Sequence, residues 1–94
     1  MRICKVIGSV VSTVKNDGLV GTKLLVVAPV EGGQPNDPIV AVDAVGAGRG
    51  EVVLVVTGGA ARVLPETRNA PVDAAIVAIV DRLESEGWAS YQKD

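Results

Sequence analysis

Short apolar runs, separated by glycine, proline or asparagine, follow one another along the chain. Three of them span Leu24–Val30, Ile39–Val45 and Glu51–Thr57. Runs of this length that are rich in β-branched residues and bounded by turn residues predict strands. Residues 3–14 also predict a strand, with an irregularity at Gly8, because a glycine inside a strand often marks a β-bulge.

Polar, glycine-rich segments connect these strands. Asn16-Asp17-Gly18 indicates a turn, and residues 31–38 (EGGQPNDP) and 65–71 (PETRNAP) indicate surface loops. Gly58–Arg62 (GGAAR) predicts a short helical turn. Gly46–Gly50 (GAGRG) lies between the third and fourth strands.

Residues 72–83 fit two patterns. Four apolar residues recur there at helical spacing: Ile76, Ile79, Val80 and Leu83. The β-branched residues of the same stretch favour a strand, so we predict a strand over Ile76–Leu83. A turn at residues 84–87 would then lead into a partner strand at Trp88–Gln92. The regular spacing of short strands predicts one mainly β domain over residues 1–94, a closed or nearly closed antiparallel barrel.

Composition supports a narrow barrel and gives little basis for catalysis. The 94 residues include 19 valines, no phenylalanine, no histidine and one cysteine, Cys4. Without histidine, a Ser-His-Asp or Cys-His site cannot form within one chain, and a zinc site is improbable. Cys4, which lies in a predicted strand, is expected to be a buried structural thiol. The acids Asp43, Glu51 and Asp73 form no evident pair, so solvated charge or capping is the simpler interpretation.

The overall charge and the apolar runs bear on partners and location. The formal net charge is −2, which gives no electrostatic case for nucleic acid or an anionic membrane. The longest apolar runs, Leu24–Val30 and Ala74–Val80, are far shorter than the roughly 20 residues of a membrane-spanning helix. Residues 1–7 lack the apolar region of a secretory signal. We therefore expect a soluble cytoplasmic protein.

The glycines of Gly46–Glu51 raise the possibility of a phosphate-binding loop. The spacing is G-x-G-x-G, whereas a dinucleotide fingerprint reads G-x-G-x-x-G and opens a helix. A strand follows here, and the Gly-Lys-Ser/Thr of a P-loop is missing. Two interpretations remain open for these glycines: a tight turn with positive φ, or close approach of several backbones around a symmetry axis.

Single-stranded nucleic acid is a further possibility for a small five-stranded barrel. Such surfaces combine a basic groove with aromatic stacking platforms. The aromatic residues of this chain are Trp88 and Tyr91, both near the carboxyl terminus, and the cations are scattered along the sequence. A module that binds a small ligand or single-stranded nucleic acid is therefore kept as the alternative function.

The segment Asp43–Leu54 (DAVGAGRGEVVL) resembles a signature of the vertex proteins of bacterial microcompartment shells, which include those of carboxysomes and of ethanolamine-utilisation compartments. Further matches follow in the family's order: Gly58–Arg62, Pro71-Val72-Asp73, Ala78–Asp81 and the closing Lys93-Asp94, with Gly8 in the first strand. The chain departs from the family at Gly59-Ala60, where hydroxyl residues are common, and Arg49 occupies a variable position.

This resemblance implies an oligonucleotide-binding-type barrel, with one short helix and a carboxyl-terminal β-hairpin, that binds no nucleic acid. It implies a structural protein, not an enzyme, without cofactor, metal or membrane partner. A homopentamer would fill the five-fold vertices of an icosahedral shell in the bacterial cytoplasm, next to hexameric and trimeric shell proteins.

The resemblance also implies two groups of site residues. The candidates for the five-fold axis and its pore are Gly46, Ala47, Gly48, Arg49, Gly50 and Glu51, of which Arg49 and Glu51 could give a narrow opening its charge. The candidates for contacts between subunits are Gly58, Gly59, Arg62, Asp73, Trp88 and Tyr91.

Overall fold

Five strands form a closed barrel in the computed structural model, which describes residues 1–11, 22–30, 37–65, 67, 72–83 and 91–92. The elements in chain order are β1 (Arg2–Ser9), β2 (Leu24–Pro29), β3 (Ile39–Asp43), β4 (Val52–Thr57), a 3-10 helix (Gly58–Arg62), β5 (Ala74–Ile79), β6 (Arg82–Leu83) and β7 (Tyr91–Gln92). Around the barrel the order is β1-β2-β3-β5-β4, and β4 pairs back to β1. This is the order of the five-stranded oligonucleotide-binding barrel, so the expected fold class is confirmed.

Closure is confirmed, but the expectation of a wholly antiparallel barrel is wrong at one pair of strands. β3 and β5 run parallel, with Val42 opposite Ala75 and Asp43 opposite Ile76, while the other four pairs are antiparallel. The reason is parity. Strand direction cannot alternate around a ring that has an odd number of members, so a closed five-stranded barrel must contain at least one parallel pair.

Two irregularities bend the strands into a barrel of this small size. The register of β1 against β2 shifts between Val6 and Gly8, which confirms the predicted irregularity at Gly8. The register of β4 against β5 shifts between Leu54 and Val55. β-Bulges increase local twist and bend a strand, and both effects help a short sheet close on itself.

The interior holds small aliphatic side chains. Among the residues that the structure describes, the buried core consists of Cys4, Val6, Leu25, Val27, Ala41, Ala47, Val53, Val55, Ala74 and Ile76, with Ile39 and Ile79 packed against it. Cys4 is fully buried and belongs to no disulfide, as expected from the sequence. Nine of these ten core residues lie on the five strands, and Ala47 comes from the connection between β3 and β4.

The segment that was ambiguous between helix and strand is a strand. β5 spans Ala74–Ile79, so it begins two residues before the predicted Ile76 and ends earlier, and a separate short strand follows at Arg82–Leu83. That strand pairs with Tyr91–Gln92, which confirms the carboxyl-terminal hairpin. The predicted turns at 16–18 and 84–87 lie outside the described residues, as do the parts of the predicted surface loops at 31–36 and 68–71.

The end of β3 differs from the sequence prediction for a local reason. β3 ends at Asp43 rather than at Val45, because the Asp43 side chain hydrogen-bonds to backbone amides of the next residues and turns the chain. The predicted helical turn at Gly58–Arg62 is confirmed as a 3-10 helix. Within the described part of the chain, no helix has the length and apolar character needed to cross a membrane.

Candidate functional site

The connection between β3 and β4, residues 44–51, is called here the β3–β4 loop. It begins with an Asx turn: Oδ1 of Asp43 accepts hydrogen bonds from the amides of Val45 at 3.0 Å and Gly46 at 3.1 Å. The Asp43 side chain is 2% exposed. Asp43 is therefore a capping residue of the turn, which is the simpler of the two interpretations that the sequence allowed for the acids.

Ala47 fixes the middle of the loop to the barrel. Its side chain is fully buried in the core, although it belongs to a connection and not to a strand. Its carbonyl oxygen accepts a hydrogen bond from Nζ of Lys23 at 2.9 Å. The same Nζ lies 3.7 Å from Oδ2 of Asp43, so one ammonium group contacts both the beginning and the middle of the loop.

The end of the loop is bound to β1 and to itself. The amide of Gly50 donates to the carbonyl of Val6 at 2.8 Å, and the amide of Val6 donates to the carbonyl of Glu51 at 2.9 Å. Oε1 of Glu51 accepts from the amide of Gly48 at 2.6 Å, while the amide of Glu51 donates to the carbonyl of Gly48 at 3.1 Å. The amides of Gly46, Gly48 and Gly50 are all engaged within the chain, so this loop does not present them to a phosphate.

The glycines of the loop differ in what they require. Gly46 and Gly50 have φ angles of 80° and 90°, which residues with a side chain rarely adopt. The backbone conformation therefore explains why both positions are glycine. Gly48 has no such angle, and a Cβ atom there would lie 3.4 Å from Oε1 of Glu51, which is close to ordinary contact. The monomer therefore explains two of the three glycines by positive φ and leaves room for the close-approach interpretation at Gly48.

The 3-10 helix and the start of β5 form a second candidate region. The amide of Gly58 donates to the carbonyl of Asp73 at 2.8 Å, and Nη1 of Arg62 donates to the carbonyl of Val72 at 3.0 Å. Gly58 has a φ of 64°, whereas Gly59 is exposed and a Cβ atom there would have no neighbour closer than 3.8 Å. The fold thus brings four of the predicted contact residues together.

The remaining two predicted contact residues are Trp88 and Tyr91. Trp88 lies outside the described residues, and Tyr91 is described as a backbone position on β7. At the helix itself, Thr57 precedes the first turn without a side-chain capping hydrogen bond. Gly59 and Ala60 have no hydroxyl group that could supply such a bond.

Sequence reasoning missed a third region, the outer surface of β1, β2 and β3. Alternation directs Ala41 inward and Val40 outward, where Val40 is 46% exposed. Val40 pairs with Val26, which pairs with Gly8, and Ile7 at the bulge is 40% exposed. We call Ile7, Val26 and Val40 the outer apolar patch. The signal was present in the sequence, because runs such as LLVVAP show no alternation and are apolar on both faces.

Other chemistry is poorly supported in the part of the chain that is described. Those residues contain no group of three or more histidine, cysteine, aspartate or glutamate side chains able to hold a metal ion. A shallow groove of about 250 Å³ borders the loop between Lys23 and Arg49, above Val6 and Leu25. Lys23 already binds Asp43 and Ala47, so the other polar side chains that line this groove are those of Ser9 and Arg49.

Comparison with known proteins gives consistent matches over most or all of the chain. The family model described as ethanolamine utilisation protein EutN/carboxysome matches residues 1–81. The bacterial microcompartment shell vertex protein GrpN of Rhodospirillum rubrum is 51% identical over 87 residues, which cover 90% of this chain and 98% of GrpN.

Two solved structures extend the similarity to three dimensions. The structure of CcmL from Nostoc sp. PCC 7120 superposes with a TM-score of 0.88 at 45% identity, covering 99% of this chain and 100% of that one. The GrpN structure from Rhodospirillum rubrum, described as a pentameric microcompartment shell protein, superposes with a TM-score of 0.78 at 50% identity. The superposition covers 90% of this chain and 98% of the GrpN chain.

A pair of alanine variants separates the two roles assigned to the loop glycines. Gly50→Ala places a Cβ atom on a residue with φ of 90° and should lower the free energy of unfolding by about 1–2 kcal/mol. Gly48→Ala adds the same methyl group at an unstrained position and should cost clearly less. Urea denaturation at one protein concentration measures both, and equal values for the two variants would contradict the assignment.

Proposed function

This chain belongs to the family of bacterial microcompartment shell vertex proteins and is a pentameric structural subunit rather than an enzyme, and we propose that its five copies meet at the β3–β4 loop. The family resemblance inferred from Asp43–Leu54 is thereby confirmed. The protein works in the shell of a microcompartment in the bacterial cytoplasm.

The main support for assembly is the apolar outer surface of the barrel, whose wall is one layer of strands. In such a barrel, alternate residues of every strand face away from the core. On β4, Leu54 and Val56 alternate with the fully buried Val53 and Val55, and both are half-buried in one chain. The outer apolar patch lies on β1, β2 and β3. We infer that neighbouring copies cover parts of this surface, because water contact with contiguous apolar area is unfavourable.

A ring suits this surface better than a two-fold dimer. A head-to-tail contact joins two different regions of the same chain and closes when the rotation between subunits divides a full turn. The chain offers two different candidate regions, the outer apolar patch and the 3-10 helix with Asp73. We propose that Gly58, Gly59, Arg62 and Asp73 contribute to the contacts between subunits, together with Trp88 and Tyr91.

Three properties support a place for the β3–β4 loop beside the five-fold axis. The loop is rigidly bonded, so five copies can present the same surface. The backbone conformation of Gly48 does not require glycine in one chain. The Glu51 carboxylate is turned to the amide of Gly48, whereas Arg49 is exposed. We therefore propose that Arg49, more than Glu51, gives a central opening its charge.

The neighbours of the pentamer are proposed to be hexameric and trimeric shell proteins of the same compartment. Flat hexagonal tiles cannot close a polyhedron by themselves, so a closed shell needs pentagonal units at its vertices. The alternative of a ligand-binding or nucleic-acid-binding module has less support. In the sequence the cations are scattered and the two aromatic residues lie near the carboxyl terminus, a distribution that does not indicate a basic stacking groove, and Lys23 is engaged with the loop.

Placing a charge in the outer apolar patch tests whether neighbouring copies cover this surface. Val40→Asp should leave the barrel folded, because Val40 is 46% exposed in one chain, but it should convert pentamers to smaller species at micromolar concentration. Native mass spectrometry measures the species, and circular dichroism checks the fold. Val11→Asp, at a residue that is 97% exposed, is the matched control and should stay pentameric. A Val40→Asp variant that assembles like the wild type would count against this surface.

A bulky side chain at Gly48 tests the placement of the loop. Gly48→Leu should crowd five side chains at the axis and either prevent the ring or distort it, whereas Gly48→Ala should have a smaller effect. The oligomer is measured by native mass spectrometry and its geometry by crystallography. The placement is wrong if the leucine variant forms a ring whose geometry matches that of the wild type.

A further inference from the structure

Lys23 links two parts of the barrel that are distant in the sequence. It lies immediately before β2, and its ammonium nitrogen is 2.9 Å from the carbonyl oxygen of Ala47, 24 residues further along the chain. Its own carbonyl oxygen accepts a hydrogen bond from the amide of Asp43 at 2.9 Å. Lys23 therefore contacts the β3–β4 loop through its side chain and the end of β3 through its backbone.

The two carboxylate oxygens of Asp43 make different contacts. Oδ1 holds the amides of Val45 and Gly46, and Oδ2 lies 3.7 Å from Nζ of Lys23. The Asp43 side chain is 2% exposed, while that of Lys23 is 56% exposed. A carboxylate so little exposed needs hydrogen bonds and a countercharge, and the ammonium supplies the countercharge at the base of the loop.

The bonds made by this pair concern the shape of the loop more than the stability of the barrel. The Lys23 ammonium is more than half exposed, so the pair contributes less to global stability than a fully buried pair would. However, the first half of the loop has three attachments, namely the Asx turn, the buried Ala47 methyl group and the Lys23 hydrogen bond, and Lys23 contacts both residues on which they depend, Asp43 and Ala47. Loss of its ammonium would release the first half of the loop while β1 still holds Gly50 and Glu51.

We propose that Lys23 is a positioning residue for assembly, whose ammonium group, held by Asp43 and the Ala47 carbonyl, fixes the β3–β4 loop in the conformation that the ring requires. This inference rests on the proposed position of the loop at the five-fold axis. It assigns to Lys23 an effect on assembly that exceeds its effect on folding.

Five-fold symmetry amplifies a small change in each subunit. If a fraction f of free subunits has the competent loop, the association constant of the pentamer scales as the fifth power of f. The concentration at half-assembly depends on the fourth root of that constant. A threefold to tenfold fall in f should therefore raise the half-assembly concentration about 4- to 18-fold.

Lys23→Met tests the proposal, because it keeps a long apolar stem and removes the ammonium. The half-assembly concentration should rise about 4- to 18-fold, as measured by analytical ultracentrifugation on a dilution series in a fixed, non-denaturing urea concentration. Amide hydrogen exchange should accelerate at Val45 and Gly46. Circular dichroism should still report a folded barrel.

Two further variants distinguish positioning from a general loss of charge. Lys23→Arg keeps the positive charge and its donors and should restore most of the wild-type assembly. Asp43→Asn keeps an Oδ1 acceptor for the Asx turn, removes the negative charge and should resemble Lys23→Met. Because both changes remove the ion pair between Lys23 and Asp43, the double variant should show less than the sum of the two single effects.

The outcomes separate this proposal from the proposed function. A wild-type pentamer with a Lys23→Met half-assembly concentration within twofold of its own would overturn the positioning role and leave the vertex function intact. Unfolding of both Lys23→Met and Asp43→Asn would also overturn it, because the pair would then stabilise the barrel itself. A wild-type chain that never forms pentamers would instead contradict the proposed function.

Discussion

The closure of five short strands around a core of small aliphatic side chains is the constraint on which the rest of the structure depends. In the described part of the chain, nine of the ten core residues lie on strands, and the tenth, Ala47, comes from a loop. Closure with five strands requires a parallel pair, which is β3 with β5. A barrel this narrow has little interior, so much of its apolar surface faces outward.

That outward surface connects the sequence to assembly. A chain of 94 residues has a modest core, and association buries apolar area that one chain cannot bury alone. The same residues that make the strands apolar on both faces thus favour a ring. Hydrogen bonds within the chain make the β3–β4 loop a defined surface, because Asp43, Lys23 and Glu51 each fix a different part of it.

The sequence predicted the architecture where local chemistry dominates. The runs around Leu24–Pro29 and Val52–Thr57, the bulge at Gly8 and the 3-10 turn at Gly58 follow from β-branched content and glycine positions. It did not predict the parallel pair of β3 and β5, because strand neighbours depend on the path of the whole chain. The early end of β3 depends on the Asx turn at Asp43. The sequence analysis allowed capping by this acid but did not predict that it would end the strand.

The candidate site was predicted in part. Position in the sequence grouped Gly46–Glu51, and the fold adds that Gly58 and Arg62 lie against the residues before β5. The contact between Lys23 and Ala47 could not be foreseen, because their separation of 24 residues has no periodic signature. The exposure of Val40 likewise requires knowledge of which face of β3 the core occupies.

The central claim is that five copies join with the β3–β4 loop beside the axis and the outer apolar patch covered. A crystal structure of the assembled wild-type ring tests it most directly. The account predicts a five-fold ring in which Gly48 and Arg49 are among the residues nearest the axis and Val40 is buried by a neighbouring subunit. A ring with Gly48 at its outer rim, or with Val40 still exposed, would contradict the account.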